Sequence, residues 1–223
     1  RWGDLNLDYY FGHLFAWGAV RICGLDVRTE GAEHLERNQP CVYVGNHQSG
    51  MDMATFGTMF PHRTVTVGKK ELLYIPFFGL FFAAAGNIVI NRQKRVSAVA
   101  GLSDAAEAIK KKKVSVWIFP EGTRNRTDDA MMPFKKGAFY MALQAGVPIV
   151  PIVSSPLGEF IHWQDKRMNP GKVLIRVLPP IQTTNYKASE MDRLMHDVRA
   201  AMVAALEDIK GAGSDSPHHP RGR

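Results

Sequence analysis

Residues 41–60 read CVYVGNHQSGMDMATFGTMF. The opening CVYVG is a short apolar run that suits a buried strand. The closing MATFGTMF is a helical patch. Between them His47 and Asp52 stand five apart. On an ideal helix five residues turn about 500°, so two such side chains would point about 140° apart. Neighbours on a helix face are three or four apart. If His47 and Asp52 meet, at least one of them lies off the helix. A strand-to-helix turn containing Gly50 allows that. Such a turn at the carboxyl end of a strand is where α/β sheets gather their sites.

The pattern repeats outward from this stretch. TVTVG (64–68), NIVI (87–90), VSVWIF (114–119), VPIVPIV (147–153) and KVLIRVL (172–178) read as strands. Residues 96–113 read as an amphipathic helix with Val99, Leu102, Ala106 and Ile109 on one stripe, ending in Lys110 to Lys113. GAFYMALQAG (137–146) is a helix with Gly146 as its cap. The last helix opens on Ser189 and Asp192 in the manner of a capping box. Its stripe is Met191, Leu194, Met195, Val198, Met202, Leu206 and Ile209. Residues 72–86, LLYIPFFGLFFAAAG, are strongly apolar but broken by Pro76 and Gly79. Strands alternating with helices predict a single α/β domain over residues 25–210, with a largely parallel central sheet flanked by helices. The tail 211–223 is poor in apolar residues and is expected to be disordered.

The chain has 223 residues, 45% of them hydrophobic, enough for one domain with a real core. Its net charge of +7 suits an anionic partner: a nucleic acid, a membrane surface or a phosphorylated substrate. The basic residues are not interleaved with aromatics as in a nucleic-acid binder, so no nucleic-acid partner is expected. Cys23 and Cys41 sit in apolar surroundings and suit buried free thiols. No His/Asp/Glu cluster has metal-ligand spacing. The sequence starts at Arg1 rather than Met and looks cut from a longer one. Residues 9–25, YYFGHLFAWGAVRICGL, are apolar but carry His13 and Arg21. That run is at the short limit for a span, so residues 1–24 are expected to form an amphipathic, membrane-associated helical segment.

Two further constellations could carry chemistry. An aspartate that accepts from one imidazole nitrogen fixes the tautomer and leaves the other nitrogen free to take a proton. His47 and Asp52 are thus half of a triad, with no nucleophile: Ser49 lacks the G-x-S-x-G elbow. Eight histidines and twelve aspartates give about 0.4 such spacings by chance, so the pair alone better fits a capping or core histidine, and its placement changes the odds. FPEGTRNRT (119–127) puts a carboxylate, a glycine and a guanidinium at one strand tip, which suits a phosphate or an internal Glu121–Arg124 ion pair. MPFKKGAF (132–139) adds Lys135 and Lys136 nearby in sequence, and GNIVINRQ (86–93) ends in Arg92.

In that order, NHQSGMD, GNIVINR, FPEGTR and VPIVPI resemble the four sequence blocks of the glycerolipid acyltransferases, and of them most closely the 1-acyl-glycerol-3-phosphate acyltransferases. KKELLYIPFFG and MPFKKGAF resemble the same subfamily, and the similarity runs from about residue 25 to about residue 209. The resemblance implies acyl transfer from acyl-CoA, or acyl carrier protein, to the sn-2 hydroxyl of lysophosphatidic acid, giving phosphatidic acid. It implies His47 as general base and Asp52 as its orienter. Arg92 and Arg124 would hold the acceptor's phosphate with Lys69, in a site that Glu121, Gly122 and Thr123 help to form. Neither metal nor cofactor is implied. The expected place is a membrane surface, bacterial inner membrane or endoplasmic reticulum, with the active site near the cytoplasmic face. Two other readings stay open: a related enzyme acting on glycerol-3-phosphate or another lysophospholipid, and a non-enzymatic anionic-lipid-binding module.

Overall fold

The computed structural model describes residues 6–90, 95–125, 131–158, 160–162 and 167–213. The chain enters through α1 (Leu7–Ile22) and passes into β1 (Leu25–Glu30), the short α2 (Glu33–Glu36) and β2 (Val42–Gly45). Then come α3 (Asp52–Gly57), β3 (Thr64–Lys69), a 3-10 turn at Lys70–Tyr74, α4 (Phe78–Ala84) and β4 (Ile88–Ile90). The second half holds α5 (Arg95–Lys112), β5 (Ser115–Ile118), α6 (Gly137–Ala145), β6 (Ile149–Ser154), a small hairpin β7 (Ile161–His162) and β8 (Arg167–Met168), then β9 (Gly171–Val177) and α7 (Met191–Gly213).

Seven strands form one sheet in the order β1-β9-β6-β2-β5-β3-β4. From β6 to β4 every pairing is parallel. β9 joins β6 antiparallel, and β1 pairs with β9 in parallel. The expected largely parallel α/β domain is what the chain builds. Its central strands β2, β5 and β6 are buried along their whole length, which is why they read as continuous apolar runs. One face of the sheet is covered by α5, α6 and α7, through Ile109, Phe139, Met141, Leu194, Val198, Met202 and Ile209. The other is covered by α1 and α3, with Phe56, Phe60, Tyr43 and Trp117 at its centre.

Four details differ from the sequence reading. Gly79 does not break the apolar run; it lies in α4, where a Cβ would fall 2.1 Å from the Leu73 carbonyl oxygen, so only glycine lets the 3-10 turn fold onto the helix. The capping partner before α7 is Glu190, whose Oε2 accepts the Lys187 main-chain N–H at 2.9 Å; Asp192 pairs instead with Lys136. Cys41 is buried, whereas Cys23 is only half-buried. α7 continues to Gly213; the tail expected to be disordered lies, from residue 214, outside the described residues, as do residues 1–5.

α1 is fastened to the body in two ways. A Cβ on Gly57 would fall 2.6 Å from the Gly12 carbonyl, so α1 and α3 cross backbone against backbone. At its other end Asp8, 7% exposed, accepts from Asn87 Nδ2 at 3.0 Å. Asn87 Oδ1 in turn accepts the main-chain N–H and the hydroxyl of Thr66. Among the described residues the second oxygen of Asp8 has no hydrogen bond of good geometry. Burial raises the Asp8 carboxyl from 3.8 to about 6, against the lowering pull of Asn87. The folded state therefore binds the proton more tightly than the unfolded chain. The stability this group allows is full below about 3.8 and is lost as pH rises through about 6. Above that the ionised form costs on the order of 3 kcal/mol. Asp8→Asn is expected to raise the melting temperature at pH 7.5 and to flatten the slope between pH 4 and 6. Melting curves of both proteins across that range decide it; an equal or lower melting temperature at pH 7.5 overturns it.

Candidate active site

The turn after β2 is stitched to both neighbouring strands. Asn46 continues the ladder with its side chain: Nδ2 donates to the Ser154 carbonyl at 3.0 Å, and Oδ1 accepts the Ser154 N–H at 2.8 Å. Gln48 does the same one step on, donating to the Ser154 and Ser155 carbonyls and accepting from Leu157 N–H. Both bind on the β6 side. His47, between them, binds on the β5 side through its own backbone. Its N–H donates to Glu121 Oε1 at 2.8 Å, and its carbonyl accepts from Asn125 N–H at 2.7 Å.

The backbone thus fixed, the His47 ring stacks on Phe119, centroids 4.1 Å apart and planes at 12°. Its Nδ1 meets Asp52 Oδ2 at 2.6 Å. Asp52 is 2% exposed and also accepts the main-chain N–H groups of Gln48 and Ser49. Every partner donates to this carboxylate. The bonding pattern therefore assigns the His47 proton to Nδ1 and leaves Nε2 bare. The His47 side chain is 20% exposed, so a substrate hydroxyl can reach it. Ser49 does not complete a triad: its hydroxyl accepts the Met51 N–H at 2.9 Å. As the five-residue spacing required, His47 lies off the helix, in the turn, and Asp52 is the first residue of α3.

The strand tip after β5 supplies the rest. Glu121 was read among the phosphate-site residues; it is 2% exposed, and its two oxygens accept the N–H groups of His47 and Met132. Both oxygens hold backbone. Burial pushes its carboxyl up from the ordinary range, and the two N–H donors pull it back down. Gly122, at φ +70°, closes a tight turn through its N–H to the Phe119 carbonyl at 3.1 Å. Thr123 and Arg124 follow, both exposed. Arg124 is not paired with Glu121; its Nη2 lies 4.0 Å from where a Cβ of Gly50 would be, over the His47 turn. Lys69 ends β3, the strand beside β5, and is exposed. Arg92 lies outside the described residues, two positions past the end of β4. Thus His47, Asp52, Gly122, Thr123, Arg124 and Lys69 all stand at the carboxyl end of the parallel strands. Among the described residues no cluster of three or more His, Cys, Asp or Glu could hold a metal. A cavity of about 400 Å³ lined by Arg37, Lys110 and Lys113 lies at the opposite end of the same strands and takes no part in this site.

Sequence reasoning missed Asn46, Gln48 and Phe119. A signal for the first two existed. Residues on either side of a histidine in extended chain point away from it, so polar residues at both positions face a neighbouring strand end together.

A family model described as Acyltransferase matches residues 26–155. The chain is 40% identical over 190 residues to 1-acyl-sn-glycerol-3-phosphate acyltransferase alpha of Bos taurus, covering 85% of this chain and 66% of that protein. It is 37% identical to 1-acyl-sn-glycerol-3-phosphate acyltransferase of Saccharomyces cerevisiae, covering 88% and 68%. With the enzyme of the same name from Salmonella typhimurium it shares 37% identity, covering 89% and 80%. It thus spans about two thirds of the mammalian and yeast relatives' length and four fifths of the bacterial one's. The crystal structure of the 1-acyl-sn-glycerophosphate (LPA) acyltransferase PlsC from Thermotoga maritima superposes with a TM-score of 0.76 at 26% identity, over 91% of this chain and 79% of that one. Fold, blocks and identity agree: the chain belongs to the acyltransferase family, among the 1-acyl-sn-glycerol-3-phosphate acyltransferases.

Proposed function

We propose that this chain transfers a fatty acyl group from a thioester, acyl-CoA or acyl carrier protein, to the sn-2 hydroxyl of lysophosphatidic acid, giving phosphatidic acid. The observation that carries this reading is the 2.6 Å bond between His47 Nδ1 and Asp52, which leaves Nε2 bare at an accessible strand end. Nε2 takes the hydroxyl proton as the acceptor oxygen attacks the thioester carbonyl. The tetrahedral intermediate collapses with release of the donor's thiolate, which recovers that proton. No side-chain nucleophile is needed, in keeping with the engaged Ser49 hydroxyl. Arg124 and Lys69, with Arg92, supply the positive charge for the acceptor's phosphate.

The acceptor is an amphiphile, so the site has to meet a lipid surface. Tyr10, Leu14 and Trp17 on α1 are 60–71% exposed, and Tyr74, Phe77 and Leu80, from the end of the 3-10 turn into α4, are 73–90% exposed. Phe11 and Phe81, ring centroids 4.1 Å apart, join the two segments into one surface. Of the phenylalanines in this stretch Phe77 points out, whereas Phe82 is 4% exposed and belongs to the core. Among the described residues no helix is long and apolar enough to cross a membrane. We read this patch as resting on a bilayer.

One experiment tests both statements: kcat/KM for lysophosphatidate and lysophosphatidylcholine, each presented in anionic and in neutral vesicles at low and high salt. A charge-assisted bond to phosphate contributes about 1.5–3 kcal/mol. Lysophosphatidate is therefore expected to be preferred by roughly 10- to 150-fold, and Arg124→Ala to erase much of that preference. Anionic vesicles are expected to support faster turnover at low salt only. A wild type that treats the two acceptors alike sinks the phosphate site, and equal rates on both vesicles sink an electrostatic contribution to docking by this chain of net charge +7.

A further inference from the structure

We propose that Lys135 is a further cation of the acceptor-phosphate site, held over Gly122 by the backbone of the 131–135 segment. This inference rests on the reading of the site given above.

Lys135 and Lys136 are adjacent in sequence, yet the fold gives them different surroundings. Lys136 Nζ is 2.7 Å from Asp192 Oδ1, so its charge is neutralised at the start of α7. Among the described residues Lys135 has no carboxylate within ion-pair distance. Its stem lies instead across the strand tip: Cδ, Cε and Nζ stand 2.9, 3.0 and 3.0 Å from where a Cβ of Gly122 would be. Any side chain at 122 would evict the lysine. The backbone itself favours glycine there, at φ +70°.

The placement is built. Met132 N–H donates to Glu121 Oε2 at 3.0 Å, and Lys135 N–H donates to the Pro120 carbonyl at 2.8 Å. Between those bonds Phe134 is buried, and Met131 is buried just before them. The segment that carries Lys135 is thereby clamped to the turn that carries Gly122, Thr123 and Arg124. Glu121 serves both sides, since its other oxygen holds His47. Two cations therefore roof two glycines at this strand end, Arg124 over Gly50 and Lys135 over Gly122. Among the described residues neither has a carboxylate partner. Like charges gathered beside a catalytic base suit a dianionic group such as a phosphate monoester. A lysine, as a point charge, supplies attraction without the planar fork of Arg124.

The test compares Lys135→Gln with Lys136→Gln on lysophosphatidate and lysophosphatidylcholine. Lys135→Gln is expected to lower kcat/KM for lysophosphatidate on the order of tenfold, a charged hydrogen bond discounted for exposure, with little change for lysophosphatidylcholine. Lys136→Gln is expected to leave the ratio of the two acceptors unchanged. Lys135→Arg should restore most of the loss. A second measurement needs no turnover: amine acetylation of the wild-type protein, read by mass spectrometry, should show Lys135 protected by lysophosphatidate but not by lysophosphatidylcholine. If Arg124→Ala erases the preference while Lys135→Gln keeps it, or if Lys135 is acetylated equally with both lipids, this inference is overturned and the phosphate reading stands. If the wild type has no preference, both fall together.

Discussion

Replacing His47 by alanine is expected to lower kcat by about 10²- to 10⁴-fold, the usual cost of losing a positioned general base. The loss should sit near the upper end, because among the described residues nothing else at the strand tips can take the proton. Ser49 is engaged with Met51, Glu121 is spent on two main-chain N–H groups, and the Asp52 carboxylate is 2% exposed beneath the ring. The fold should survive. The turn is held by Asn46 and Gln48 on the β6 side and by the His47 backbone on the β5 side, and alanine keeps all of those bonds. What it loses is one stacked ring on Phe119 and the bond to Asp52. Steady-state rates with thiol release as the readout, beside a melting curve, check this. More than a tenth of the wild-type rate in a folded variant would remove His47 from the role.

The parts of this molecule legible in its sequence are those where one local pattern settles the outcome. β2, β5 and β6 are buried on both faces, so they stand out as apolar runs. β1 was invisible for the opposite reason: Asp26, Arg28 and Glu30 alternate outward along an edge strand, and LDVRTE carries no apolar run. Nor could the run KVLIRVL reveal that β9 turns antiparallel to β6, since direction is a property of the connection. In the site, the His47–Asp52 pair was legible because the spacing forbids a shared helix face, which leaves a turn as the meeting place. How Glu121 helps to form the site was not legible, because FPEGTR shows a carboxylate beside a glycine and an arginine, but not that it is buried. Its partners, His47 and Met132, lie 74 and 11 residues away. Lys135 was hidden likewise, since what sets it apart from Lys136 is a contact with Gly122 on one side and Asp192 on the other.

Asp52→Asn is expected to lower kcat by about 10²- to 10³-fold while leaving KM for lysophosphatidate within about threefold. The size follows from what asparagine can and cannot replace. Oδ2 of Asp52 alone meets His47 Nδ1, Gln48 N–H and Ser49 N–H, at 2.6, 2.7 and 3.1 Å. An asparagine with its carbonyl in that place keeps all three bonds and hence the tautomer, giving up the second contact of Ser49 N–H, with Oδ1, also at 3.1 Å. What it lacks is negative charge at the moment His47 becomes imidazolium. A unit-charge pair at 4 Å in a partly screened site is worth about 4 kcal/mol, close to three powers of ten at its upper limit. The acceptor's phosphate meets other groups, so binding should be spared. Asp52→Ala differs in kind. It strips partners from two main-chain N–H groups as well, at about 1–3 kcal/mol for each left buried and unpaired, so it should also lower the melting temperature. The ¹⁵N shifts of His47 in Asp52→Asn report the tautomer directly. A proton still on Nδ1 with a slow kcat assigns the effect to lost charge; a proton moved to Nε2 assigns it to lost orientation. A change confined to KM, or a rate within threefold of wild type, would show that Asp52 holds the turn but takes no part in the proton transfer.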